Sequence, residues 1–288
     1  QGSGLKSASR ESSRPSLMEF LAATKDGIII YDALSCTKED KVASWAEGHG
    51  ADGVSAKVIA MLPSPPNAFG HAWSPDGAQL ASVCDEGVRI YDAADGYRQL
   101  RELPKVAPDV GGRTGGVRTL QFSPKNSFLV TYEKWDPQYP ENVHCWALEG
   151  PRAGERLHSV VLKGYTSGAL PVEMVTWTFD ESSCLILAPG RGVLVRDGDL
   201  TQNTFDQEEE ESSAKWIAEK NTTNFVVSPA PQKGACFVSC FTPECGGAVA
   251  RVSVYHLGDP SKAVMELHLP PKVKDCKMLW NYEGTALL

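Results

Sequence analysis

The stretch Ala72-Trp73-Ser74-Pro75-Asp76-Gly77-Ala78-Gln79-Leu80 returns along the chain, and that recurrence limits what the polypeptide can fold into. Gln121-Phe122-Ser123-Pro124-Lys125-Asn126-Ser127-Phe128-Leu129 is a second copy, and Thr176-Trp177-Thr178-Phe179-Asp180-Glu181 a looser third. Val226-Val227-Ser228-Pro229-Ala230-Pro231 and Leu279-Trp280-Asn281-Tyr282-Glu283-Gly284 are the fourth and fifth. The large apolar anchors fall at 73, 122, 177, 227 and 280, in steps of 49, 55, 50 and 53 residues. A period of roughly 40 to 50 residues is the mark of stacked structural repeats.

Each copy has a mechanical reading. Proline presets φ at the first central turn position, Asp or Asn bonds back to nearby backbone, and Gly accepts a positive φ. The expected product is a tight hairpin between two buried strands. A second repeat runs in step with the first. Gly27-Ile28-Ile29-Ile30-Tyr31-Asp32 and Gly87-Val88-Arg89-Ile90-Tyr91-Asp92 are near copies. Weaker versions are Asn142 to Trp146, Gly192 to Arg196 and Arg251 to Tyr255. All are short, rich in β-branched residues and bounded by turn formers, as strands are. The order strand, tight turn, strand, loop, strand, with a poorer fourth strand, is one blade of a β-propeller. The expected fold class is therefore all-β, a WD-repeat-like propeller.

Composition narrows the function. A hydrophobic content of 42% over 288 residues supports a substantial core in one continuous array. A net charge of −8 excludes a generally basic nucleic-acid binder while permitting a local basic patch. No run of about 18 apolar residues is present, so no membrane span is expected, and no basic-then-apolar signal segment is seen. The eight cysteines form no C-x-x-C pair, and Cys84, Cys145, Cys184 and Cys276 sit singly in apolar runs, where a reduced thiol acts as a small hydrophobe. Cys236, Cys240 and Cys245 lack a fourth ligand at metal spacing, so no metal is expected and a reducing, cytoplasmic setting is.

In chain order, residues 1 to 16 are Ser-, Gly- and Arg-rich and read as a cloning remnant plus disordered tail. Residues 17 to 288 read as the propeller domain. Phe20 to Asp32 is a partial first blade, and residues 55 to 103, entered through Pro63, Pro65 and Pro66, read as the cleanest one. The glycine run Gly111 to Gly116 opens a strand instead of a helix, so it reads as an inter-blade loop and not a phosphate cradle. Glu133 to Pro140 is an insertion in the third blade whose aromatics are either a contact surface or a cover for the blade edge. The run Glu208 to Glu211 is a solvated acidic loop, Phe241 to Ala250 a Gly- and Pro-containing insertion, and the sixth unit from Pro271 a single hairpin. The array thus counts about five to six blades, an incomplete set from a larger propeller unless the termini pair to close it.

Three segments carry a family resemblance: Val117 to Asn126, Asn224 to Gln232 and Val273 to Asn281. In wording, order and spacing they resemble the N-terminal propeller of the eukaryotic translation initiation factor 2A family. The b subunit of initiation factor 3 is the nearest rival, sharing Ser-Pro hairpins and similar insertions. The resemblance covers roughly residues 17 to 288, with the glycine run and the acidic run as departures. It implies a non-catalytic role in protein biosynthesis: ribosome binding at the small subunit and support of initiator methionyl-tRNA delivery, with mRNA and other initiation factors as further contacts. It implies no cofactor.

No catalytic constellation emerges. Gly164-Tyr165-Thr166-Ser167-Gly168 places its serine one position too late for a nucleophile elbow. P-loop, H-E-x-x-H and calcium-loop patterns are absent, and the six histidines are scattered singly. The candidate nucleic-acid or ribosome contacts are Arg113, Arg118, Lys272, Lys274 and Lys277. They precede or open the first strands of blades, so they are expected on one face, with Lys125 on the opposite one; solvated charge is the plain alternative for each. Two function classes follow: an RNA-associated translation factor module, or a generic protein-interaction propeller without direct RNA binding.

Overall fold

The five corners close in the same way. In the first, the Ser74 amide donates to the Gln79 carbonyl (2.9 Å) and the Gly77 amide to the Ser74 carbonyl (2.8 Å). The Gln79 amide then donates to Ser74 Oγ at 2.8 Å. Phe128 and Ser183 repeat this last bond to Ser123 Oγ (2.9 Å) and Thr178 Oγ1 (3.1 Å). Ala286 makes it to Asn281 Oδ1 at 2.9 Å. In the Ser228 corner the partner is Phe237, nine positions on instead of five, and its amide still reaches Ser228 Oγ at 3.0 Å. The third residue after the capping side chain takes a positive φ each time the loop is short: Gly77 (71°), Asn126 (69°), Glu181 (57°) and Gly284 (66°).

These corners join the strands of a computed structural model that describes residues 19–24, 27–41, 54–63, 70–106, 116–163, 174–188, 190–200, 215–218, 220–229 and 235–288. The chain divides into two compact units, Gln1–Asn67 and Ala68–Leu288. The first holds one antiparallel sheet, β1 (Glu19–Thr24), β2 (Gly27–Lys41) and β3 (Val54–Leu62), in the order β1-β2-β3. The second holds four four-stranded antiparallel sheets in chain succession. They are β4 (His71–Trp73), β5 (Gln79–Cys84), β6 (Gly87–Asp92) and β7 (Arg98–Pro104); then β8 (Val117–Phe122), β9 (Phe128–Glu133), β10 (Val143–Ala147) and β11 (Arg156–Val160). The third is β12 (Val175–Trp177), β13 (Ser183–Ala188), β14 (Gly192–Asp197) and β15 (Lys215–Ile217). The fourth is β16 (Asn224–Val227), β17 (Phe237–Thr242), β18 (Arg251–His256) and β19 (Asp259–His268). A last hairpin bridges Trp280 to Leu287. No helix occurs among the described residues, and the sheets are propeller blades.

One blade boundary differs from the sequence reading. Residues 55 to 103 do not form a single blade, because Val54–Leu62 pairs with β2 (Ile28↔Leu62, Ile29↔Met61, Ile30↔Ala60) and closes the first sheet. Pro63, which follows, marks the boundary: it cannot donate to a ladder, so it ends a blade instead of opening one. The tail at 1–16, the glycine run through position 115 and the acidic run lie outside the described residues.

Within the second unit the cores lie between sheets. One buried cluster joins Val88, Ile90 and Leu103 to Leu120, Phe122 and Leu129 of the next blade. A second runs from Val130 and Cys145 through Trp177 and Leu185 to Phe225 and Val238. Anchors before the corners take part in this joining: Phe122 and Trp177 belong to these clusters. Phe128, just after one corner, stacks on Trp177, just before the next (5.0 Å between centroids, 3° between planes), and Phe237 meets Trp280 in the same way at 6.4 Å. Corner side chains add polar links. The Lys125 amide donates to Glu181 Oε1 at 2.5 Å, and the Asn126 side chain hydrogen-bonds Asp76. Those links explain why two non-glycine residues are held at positive φ, a geometry that costs them roughly 1 kcal/mol. Gly70 serves close approach instead: a Cβ there would meet Val83 Cγ2 at 2.5 Å and the Arg118 carbonyl at 3.2 Å.

Ser123 is 1% exposed, whereas Asn281 is half-buried. Removing the buried hydroxyl of Ser123 leaves the part-buried Phe128 amide unpaired, so Ser123→Ala is expected to lower unfolding stability by about 1–3 kcal/mol, with Asn281→Ala costing less than half of that. Chemical denaturation of the two variants checks the ranking, and equal effects would contradict it.

Candidate docking face

Antiparallel order sorts every connection of the second unit to one of two ends. At the corner end lie the Ser-type turns and the described loops joining third strands to fourth strands. At the inlet end lie the segments that lead into each first strand and the links between second and third strands. Hydrogen bonds between blades respect the division: Lys125 to Glu181 joins two corners, and Lys272 to Glu244 joins two inlet segments.

The candidate cations separate on this frame. Lys272, Lys274 and Lys277 share one inlet segment and are all exposed. The segment is pinned from below, since Val273 and Cys276 pack on a cluster of Phe241, Ala250, Val252 and Met278. Asn224 Nδ2 donates to the Cys276 carbonyl at 3.0 Å, and the Lys272 amide, at φ 71°, donates to Glu244 Oε2 at 3.0 Å. Apolar residues at 273, 276 and 278 thus face the blade and the lysines face solvent. Among these groups the segment is the clearest presented cationic ridge.

Arg118 stands apart. The β8–β9 ladder pairs Val117 with Glu133 and Thr119 with Tyr132, so Arg118 is the extra residue of a β-bulge at the start of β8. A bulge re-aims a side chain, and this one is half-buried, not displayed. It occupies the inlet end, as expected, but three blade steps before the lysine segment. Lys125 lies in the corner at the other end of β8, as expected. Arg113 lies outside the described residues.

The buried polar groups beneath this face are structural in form. His144 is fully buried, and Nδ1 lies 2.9 Å from Ser159 Oγ. Burial, with the Arg156 charge adding to it, pushes its pKa down to about 4, and burial with Arg196 does the same for His158. The 3.9 Å approach of His144 Nε2 to Glu133 Oε1 is therefore not an ion pair at neutral pH. Glu133 Oε1 instead accepts from the Val106 amide at 2.8 Å, tying an inlet segment to the blade after it. Burial also raises the Cys145 and Cys240 thiols to about 12, which keeps them protonated and unreactive. Among the described residues no group of three His, Cys, Asp or Glu side chains is placed to hold a metal ion.

No family model matches the chain. Over 225 residues it is 27% identical to the b subunit of eukaryotic translation initiation factor 3 from Nicotiana tabacum, a match covering 75% of this chain and 28% of that protein. Over 222 residues it is 28% identical to translation initiation factor 2A of Caenorhabditis elegans, covering 75% of this chain and 34% of that one. The curated homologues are translation initiation factors. The chain spans about a third of the length of either relative, and both of the factors that the sequence wording suggested are matched to a like degree. A crystal structure of a eukaryotic initiation factor superposes with a TM-score of 0.64 at 20% identity, covering 93% of this chain and 56% of that one. Sqt1 from Chaetomium thermophilum gives 0.51 at 13%, covering 93% of this chain and 64% of that one. These structures share the fold.

Both buried histidines are neutral in the folded protein and protonate near pH 6.5 when unfolded. Folding stability from each is therefore intact above about pH 6.5 and is lost as pH falls toward 4, at about 1.4 kcal/mol per pH unit. His144→Gln and His158→Gln should each flatten the pH dependence of the denaturation midpoint between pH 6 and 4.5. An unchanged slope would mean that the imidazoles reach solvent.

Proposed function

We propose that the chain is a non-catalytic module of a translation initiation factor, which docks on the small ribosomal subunit and supports delivery of initiator methionyl-tRNA. The similarity to initiation factor 2A and to the b subunit of initiation factor 3 carries the assignment to initiation. The lysine ridge at 272, 274 and 277 is the observation that points to a polyanionic surface: on a chain of net charge −8, three cations are held outward by a segment anchored through Val273, Cys276 and Met278. Such a ridge positions phosphate without reading sequence, which suits a structured RNA. Half-buried Arg118 supplies positive potential at the same end more than direct contact, and Arg113 precedes it in the chain. A cytoplasmic location goes with this reading, as do mRNA and other initiation factors as neighbours.

The test is sedimentation with purified small ribosomal subunits, with and without initiator tRNA, at two salt concentrations. Wild-type binding should weaken steeply with salt, and the triple variant Lys272→Glu, Lys274→Glu, Lys277→Glu should bind at least about tenfold more weakly with a shallower salt slope. Binding that ignores both salt and the three reversals would exclude the ridge as the contact.

A further inference from the structure

A cavity of about 440 Å³ opens at the inlet end between the third and fourth blades of the second unit. Its floor is apolar, made by Leu162, Met174 and Leu187. Its rim carries Lys220, Thr223 and Glu244. The volume lies within the range of binding pockets, and the pattern of apolar floor with few polar rim groups is the usual one for such sites.

The charges around it are biased. Lys163 directly follows Leu162 and is exposed, and Lys220 sits on the rim itself. Lys272 is brought to the rim because its amide is bound by Glu244, the acidic residue of the lining. We propose that this cavity is a peptide-docking site whose occupant is an acidic protein segment, inserting an apolar side chain between the lysines. Charge complementarity selects the acidic flanks, and the Leu-Met-Leu floor selects the anchor. An unstacked RNA base fits less well. Such sites hold the base on an aromatic ring or a guanidinium plane, and among the described residues no aromatic side chain lines the cavity. The nearby guanidinium of Arg191, next to the lining residue Gly190, is already stacked on Trp216 at 4.7 Å.

This site shares Lys272 with the proposed ribosome contact, but its cavity is lined by other residues and its test reads a different signal. The protein is labelled at its methionine methyl groups, of which the chain has five, Met174 being the reporter in the floor. The probe is the peptide Asp-Glu-Asp-Glu-Leu-Phe-Asp-Glu-Asp, compared with the same peptide carrying Ser-Ser at its centre and with a uridine decamer. The first peptide should shift the Met174 resonance and leave those of Met265 and Met278 in place. Thr223→Trp, which fills the cavity from an exposed position, should weaken the peptide about tenfold, and Lys220→Glu about fivefold. The Ser-Ser peptide and the RNA should leave Met174 unshifted. A silent Met174 with the first peptide, an equal response to the Ser-Ser peptide, a response to RNA alone, or full binding by Thr223→Trp would each overturn the proposal.

Discussion

A buried hydroxyl that accepts the amide five positions ahead is the interaction on which the blades depend. At Ser74, Ser123 and Thr178 it closes the hairpin between first and second strands, and at Ser228 it does so across a longer loop. The bond is short-range, so each corner can form from its own sequence before any blade meets another. Its burial makes it consequential, because an amide left unpaired there costs far more than one at the surface. Closing the corner also fixes where the flanking aromatics sit. Phe128 and Trp177, or Phe237 and Trp280, then meet across neighbouring blades without further adjustment. Local turn chemistry and inter-blade packing are two consequences of one spacing.

That economy explains what was legible in the residues and what was not. Corners and anchors could be read directly, since Ser-Pro-Asp-Gly specifies its own geometry. The third strands were also visible through their β-branched runs. Outer strands were faint: β7 shows only Leu103 buried and β19 only Pro260, so neither displays a two-residue alternation. β3 was assigned to the wrong blade because an apolar strand does not announce its partner, and only the register with β2 decides it.

At the candidate face the same limit applies more strongly. The cations themselves were readable, and their placement at one end follows from strand order. Their presentation was not: that Lys274 and Lys277 point outward rests on Val273, Cys276 and Met278 packing against Phe241 and Val252. The half-burial of Arg118 rests on a bulge that shifts the ladder between Val117 and Thr119, a feature without a sequence signal. The cavity is assembled from several connections far apart in the chain, so no local motif could have shown it. Docking surfaces of propellers belong to the assembled blades, whereas the corners that build those blades belong to short stretches of sequence.

The central claim is that the corner bonds are part of the core. Native-state hydrogen exchange of the Gln79, Phe128, Ser183 and Phe237 amides tests it directly. The account predicts protection comparable to that of mid-strand amides such as Ile90 and Leu194, because opening a corner requires the blade to come apart. Exchange of these amides at the rate of exposed turns, while the strands stay protected, would contradict it.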